Sequence, residues 1–175
     1  MKKAVFYFYS LLFVGICSPS FAQDAEANLL AQKIELPGIS KPIAAYINAV
    51  RVGNLLYLSG KIAQKPDGTY ITGKLGKELS IEQGYEAAKW VAITHLAVIK
   101  NELGSLNKVK RIVKVLGFIN SSDSFYDQPK VLNGYSELML TIFGEKGKHA
   151  RSAIGVNALP MNAAVEVELI VEIEN

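Results

Sequence analysis

Chemistry in this chain has to be sought first around its last two strand-like runs. The stretch His149-Ala150-Arg151-Ser152-Ala153-Ile154-Gly155-Val156 puts an arginine at the mouth of an apolar run. A guanidinium there is costly unless an anion meets it, and its planar fork matches a carboxylate held by two hydrogen bonds. Arg151 is therefore a candidate grip for a small carboxylate-bearing molecule. The same pattern also accommodates a structural ion pair between Arg151 and a carboxylate of the final strand. Glu166, Glu168, Glu172 and Glu174 alternate with apolar residues and, by spacing alone, read as one solvated strand face.

Other chemistries find less support. Gly68-x4-Gly73-Lys74 has the outline of a phosphate loop, but Leu75 stands where a Ser or Thr must hold magnesium. His95 and His149 are the only histidines, and neither has a partner at a ligand spacing, so no metal site and no cofactor are expected. His95 is expected at the surface or boundary of its helix. No G-x-S-x-G elbow occurs and neither histidine stands in a telling context, so a serine-hydrolase triad has little support. Asn120-Ser121-Ser122 is a glycosylation sequon in a eukaryotic source and otherwise a polar turn.

The elements that must position these residues follow from periodicity. Tyr46 to Val52 and Leu55 to Gly60 are rich in β-formers and flank Gly53-Asn54, a pair suited to a tight hairpin. Pro66-Asp67-Gly68-Thr69 is a second turn. Ser80-Ile81-Glu82-Gln83 forms a capping box in which each end satisfies an amide of the other. Ile81, Tyr85, Ala88, Ala92, Leu96, Ile99 and Leu103 then recur at helical spacing before Gly104, a left-handed stop.

Val109 to Asn120 reads as a strand apolar on both sides, with Ile112, Leu116 and Phe118 on one face and Val113, Val115 and Ile119 on the other. Val131, Leu132, Tyr135, Leu138, Met139 and Ile142 make a second helical stripe ending before Gly144. Ser152 to Val156 and Val165 to Ile173 close the chain as strands. The sum is an α+β fold, one sheet with two helices packed on one face. The other apolar face needs a partner, and a second copy of the chain is the simplest.

Half of the 175 residues are apolar and a fifth are charged, the balance of one globular domain. The organisation expected is a leader over residues 1–22, a polar lead-in over 23–40 on which no core depends, partly helical at Ala25 to Ala31, and the domain over 41–175. Lys2 and Lys3, the apolar run Ala4 to Ile16, and Ser20-Phe21-Ala22 have the charged, apolar and small-residue order of a secretory signal cleaved after Ala22. The run is shorter than the roughly 20 apolar residues that span a bilayer. An exported, periplasmic protein with no lasting membrane association is expected. Removing the leader takes away Cys17, the only cysteine, and lowers the net charge from +3 to +1. Disulfides and thiolate chemistry are then excluded, and so is any general electrostatic attraction to nucleic acid.

Ala150-Arg151-Ser152, Leu159-Pro160 and Val165-Glu166-Val167-Glu168 together resemble the closing signature of the Rid or YjgF-type reactive-intermediate deaminases, once called L-PSP endoribonucleases. Val52 to Gly60 is similar to that family's early hairpin, and Val131-Leu132-Asn133-Gly134-Tyr135 to its second helix. The resemblance covers about Ala45 to Glu174. It implies a chorismate-mutase-like fold assembled as a homotrimer, with ligand clefts between subunits. It also implies hydrolysis of 2-imino acids, or their enamine tautomers, to 2-keto acids and ammonia.

Arg151 matches the arginine that grips the substrate carboxylate and Glu166 the glutamate that positions or activates water. Tyr46 matches the aromatic that covers the ligand, and Asn133 and Ser59 polar residues near the pocket. Ala153 stands where the family often has cysteine, at a position whose backbone carbonyl matters. A non-catalytic trimeric protein binding small carboxylates is the alternative the same residues allow, since it needs Arg151 but not Glu166.

Overall fold

The computed structural model describes residues 24–39 and 45–174. The leader, its cleavage point and residues 40–44 lie outside them. Helix α1 (Ala25–Ala31) leads into the hairpin β1 (Ala49–Val52) and β2 (Leu55–Ile62), then α2 (Ile81–Leu103), β3 (Val109–Asn120), α3 (Gln128–Phe143), β4 (Ala150–Val156) and β5 (Val165–Ile173). The five strands form one sheet in the order β1-β2-β5-β3-β4, antiparallel except for β3 and β4. Those two run parallel because α3 carries the chain back between them.

Local chemistry explains the boundaries. Gly53 takes φ +60° at the hairpin, which only glycine adopts without strain. Ser80 Oγ accepts from the Gln83 amide at 3.3 Å while Gln83 Oε1 accepts from the Ser80 amide at 2.9 Å, so the expected capping box opens α2. Gly104, at φ +76°, closes it. Asp67 Oδ1 accepts from both the amide and the hydroxyl of Thr69 and builds the second turn.

Helices α2 and α3 pack side by side on one face of the sheet. They approach closely at Gly134, where a Cβ would overlap the carbonyl oxygen of Tyr85. Between helices and sheet lie Val165, Val167, Leu169, Val171 and Ile173 of β5 with Val91, Leu96, Leu132, Tyr135 and Met139. This burial is the main force holding the layers, at about 25 cal/mol per Å² of apolar surface removed from water.

Three sequence expectations are corrected here. The faces of β3 differ from a simple alternation because the register shifts between Ile112 and Lys114, which leaves Val113 as an extra residue. Ile112 therefore joins Val115, Gly117 and Ile119 under the helices, while Leu116 and Phe118 face the other way. The lead-in does carry core: Ala25 and Leu29 are buried, and Asn28 Nδ2 donates to the carbonyl of Ile142 at 2.9 Å. His95 is fully buried. A long helix clamped between a sheet and a neighbouring helix buries more of its circumference than its apolar stripe suggests.

The face away from the helices is open in the single chain. Val50 and Val52 of β1, Tyr57 of β2 and Ile154 of β4 are all more than 40% exposed on it, next to the half-buried Leu116, Phe118 and Ile170. Among the described residues no helix is long and apolar enough to cross a membrane.

Candidate functional site

Arg151 lies on β4, an edge strand, and pairs across β3 with Val115, so its side chain rises on the helix side of the sheet. There it meets α3. Nη1 donates to Asn133 Oδ1 at 2.9 Å and to Ser136 Oγ at 3.0 Å, and Nη2 lies 3.5 Å from the carbonyl of Pro129. Both Nη1 protons are thus taken by neutral oxygens. Among the described residues no carboxylate pairs with Arg151, so the structural ion pair to the last strand is not what the fold builds. Nε–H and one Nη2 proton have no partner among the described residues, and the Nε–Nη2 edge can hold a carboxylate with two parallel hydrogen bonds.

Asn133 and Ser136 meet the guanidinium together because residues three apart share a helix face. Ser136 was not a sequence candidate. Neither was His149, whose Nε2 lies 3.0 Å from Ser136 Oγ and whose Nδ1 lies 2.6 Å from the carbonyl of Gly147. The alternation of strand side chains held a signal for it, since His149 and Arg151, two apart, can serve the same side. Burial holds the His149 imidazole below its ordinary pKa, helped by the nearby Arg151 charge.

Glu166 occupies the opposite face. It pairs with Phe118 of β3 and Ile62 of β2, and its carboxylate lies over Gly60. The β2 register shifts between Leu58 and Lys61, which sets Ser59 and Gly60 in a bulge beside it. Ser59 Oγ donates to the carbonyl of Ile47 at 2.7 Å and so ties the bulge to the segment carrying Tyr46, whose ring is exposed. Half-burial raises the Glu166 pKa above the ordinary 4.5, and the charge of Glu168 adds to the rise. No cation pairs with Glu166 among the described residues.

The expected site residues therefore form two groups: Arg151 and Asn133 against α3, and Glu166, Ser59 and Tyr46 around the bulge. Ala153, two residues beyond Arg151 on β4, is opposite Gly117 and packs at the margin of the core. Within one chain the groups are not brought together. Arg151 and Glu166 are two strands and three residues apart, roughly 14 Å between Cα atoms, and on opposite faces.

No His, Cys, Asp and Glu cluster among the described residues could hold a metal ion. Gly73 and Lys74 do not form a phosphate loop; Lys74 Nζ donates to the carbonyl of Asn157 and its own amide to Glu78 Oε2.

The fold and these groups define a single-sheet α+β protein of the chorismate-mutase-like type with an arginine at a sheet edge that only neutral oxygens hold among the described residues. The family model described as "YjgF/chorismate_mutase-like, putative endoribonuclease" matches residues 26–173, and the chain belongs to this YjgF (Rid) family. It is 43% identical over 150 residues to Protein TCP17 of Trypanosoma cruzi, covering 85% of this chain and 94% of that protein. It is 34% identical to a 2-iminobutanoate/2-iminopropanoate deaminase of Dermatophagoides farinae, over 81% of this chain and 95% of the relative. The crystal structure of the protein Atu1372 from Agrobacterium tumefaciens superposes with a TM-score of 0.79 at 37% identity, over 87% of this chain and 96% of that one.

Proposed function

We propose that the protein hydrolyses reactive 2-imino acids, or their enamine tautomers, to 2-keto acids and ammonia, in clefts between the subunits of a homotrimer. The observation that carries this reading is the half-buried guanidinium of Arg151, held by neutral acceptors only, with Nε–H and one Nη2 proton left without a partner among the described residues. The deaminase relative from Dermatophagoides farinae supports the reaction class.

In this reading Arg151 of one copy anchors the substrate carboxylate and Glu166 of a neighbouring copy faces the imine carbon. Water directed by Glu166 adds to that carbon, its proton passing to the carboxylate. Glu166 returns that proton to the nitrogen, which gives the tetrahedral carbinolamine; the carbinolamine hydroxyl proton then passes through the carboxylate to the nitrogen, and ammonia leaves as the carbonyl forms. The imine carbon is already electrophilic, so orientation plus acid–base help of about 10²–10⁴-fold suffices. Burial, with the charge of Glu168, raises the Glu166 pKa above the ordinary glutamate value, which makes its carboxylate a better proton acceptor. The apolar open face carrying Val50, Val52, Tyr57 and Ile154 gives the copies a surface to share.

An amino-acid oxidase generating 2-imino acids in situ tests the proposal, their decay being followed with wild type, Arg151→Ala and Glu166→Gln. Acceleration by wild type and its loss in both variants is expected. Binding of keto acids without acceleration would replace the enzyme by a carboxylate-binding protein. Light scattering that finds a monomer at micromolar concentration would remove the shared cleft.

We also propose that the chain is exported and processed after Ala22, on the charged, apolar and small-residue order of residues 1–22. Terminal sequencing of the protein recovered from its native host tests this, with Gln23 expected first.

A further inference from the structure

The hydrogen bonds behind Arg151 run on past the groups that touch it. A carbonyl oxygen only accepts, so the 2.6 Å contact with Gly147 places a proton on His149 Nδ1. In the neutral ring Nε2 is then an acceptor. Ser136 has a single hydroxyl proton, and at 3.0 Å from Nε2 it donates there. Its lone pairs are left to face Arg151 Nη1, also at 3.0 Å. The chain therefore has one direction: Arg151 donates to Ser136, Ser136 donates to His149, and His149 donates to the backbone at Gly147. It joins α3, the turn after α3 and β4.

We propose that Ser136 and His149 are positioning residues that fix the plane of the Arg151 guanidinium, so that its Nε–Nη2 edge is presented to the ligand carboxylate. Without Ser136 the group would be held by Asn133 and by the long 3.5 Å contact of Nη2 with the Pro129 carbonyl alone. With Ser136 polarised from behind by His149, both Nη1 protons are fixed by short bonds and the plane is set by these two together with the longer Pro129 contact. This role rests on the carboxylate reading of Arg151, and it assigns work to two side chains that never touch the ligand. The depressed pKa of His149 agrees with a ring that stays neutral and accepting.

The test uses the full processed protein and 2-oxobutanoate, a stable keto acid, as probe. Calorimetry compares wild type, Ser136→Ala, Ser136→Thr and His149→Ala, and nitrogen NMR follows the His149 ring and the Arg151 guanidinium. Ser136→Ala and His149→Ala are expected to weaken binding about fivefold to tenfold, and Ser136→Thr, which keeps the hydroxyl, to restore it within about twofold. The Nη signals of Arg151 are expected to be separate in wild type, where two hydrogen bonds on Nη1 hinder rotation, and to merge in Ser136→Ala. Unchanged affinity in Ser136→Ala beside a binding wild type overturns the positioning role and leaves the carboxylate reading intact. A wild type that does not bind 2-oxobutanoate overturns the carboxylate reading; the merging of the Nη signals then decides the positioning role by itself. A His149 ring protonated on Nε2 at neutral pH reverses the chain and overturns the proposal.

Discussion

Gly60 lies directly beneath the carboxylate of Glu166, so close that any side chain at position 60 would occupy the space of Oε1. The obstructing atom is the far end of a flexible side chain, not backbone. Gly60→Ala is therefore expected to fold with stability within about 1 kcal/mol of wild type while turning the carboxylate aside. Imine decay should slow at least tenfold, measured beside a urea melt that hardly moves.

Gly134 presents the opposite case. A Cβ there meets the backbone carbonyl of Tyr85, which cannot step aside without moving α2 against α3. Gly134→Ala should cost about 1–3 kcal/mol in urea denaturation. An unchanged midpoint would mean that the helices are not in the contact described.

In the proposed mechanism the pH dependence of imine hydrolysis follows from Glu166. Burial first, and then the charge of Glu168, raises its pKa above 4.5. A base works only when deprotonated, so activity should fall with falling pH along a limb lying above the ordinary glutamate value. Glu168→Gln removes the like charge and should move that limb slightly downward. A limb at or below 4.5 in wild type would show that Glu166 is not the titrating base.

His95 makes the fold sensitive to acid. Its Nδ1 lies 2.7 Å from Tyr135 Oη, and full burial lowers its pKa from 6.5 to about 3. The unfolded chain binds the proton below pH 6.5 while the folded chain refuses it until about pH 3. The His95 contribution to stability is thus complete above 6.5 and lost progressively as pH falls toward 3. Between pH 7 and pH 4.5 the loss is about 2–3 kcal/mol. His95→Gln should flatten that part of the stability profile, read from urea melts at both pH values.

Much of this architecture was legible because its signals are local. Ser80 with Gln83, Gly104, Gly53-Asn54 and the alternation from Val165 to Ile173, broken only at Ile170, each act within a few residues, and each boundary they predict is observed. The faces of β3 were not legible, because a one-residue bulge shifts every later side chain and no residue type announces it. Arg151 was singled out by its own cost of burial. Its separation from Glu166 depends on strand order, and β5 inserting between β2 and β3 is a property of the whole sheet that spacing along the chain does not encode. The roles of Ser136 and His149 are hidden for a related reason: a serine in a helix and a histidine after a turn acquire meaning only when α3 is laid against β4.

The placement of Arg151 and Glu166 on opposite faces has a genetic consequence. If each working cleft takes its arginine from one copy and its glutamate from the next, a chain spoiled at one position still carries the other half intact. Two inactive proteins, Arg151→Ala and Glu166→Gln, should then rescue one another when unfolded together and reassembled. In randomly mixed three-membered rings an intact arginine meets an intact glutamate at roughly a quarter of the junctions. Alleles of this kind would complement in a cell carrying both, whereas two lesions on the same half would not.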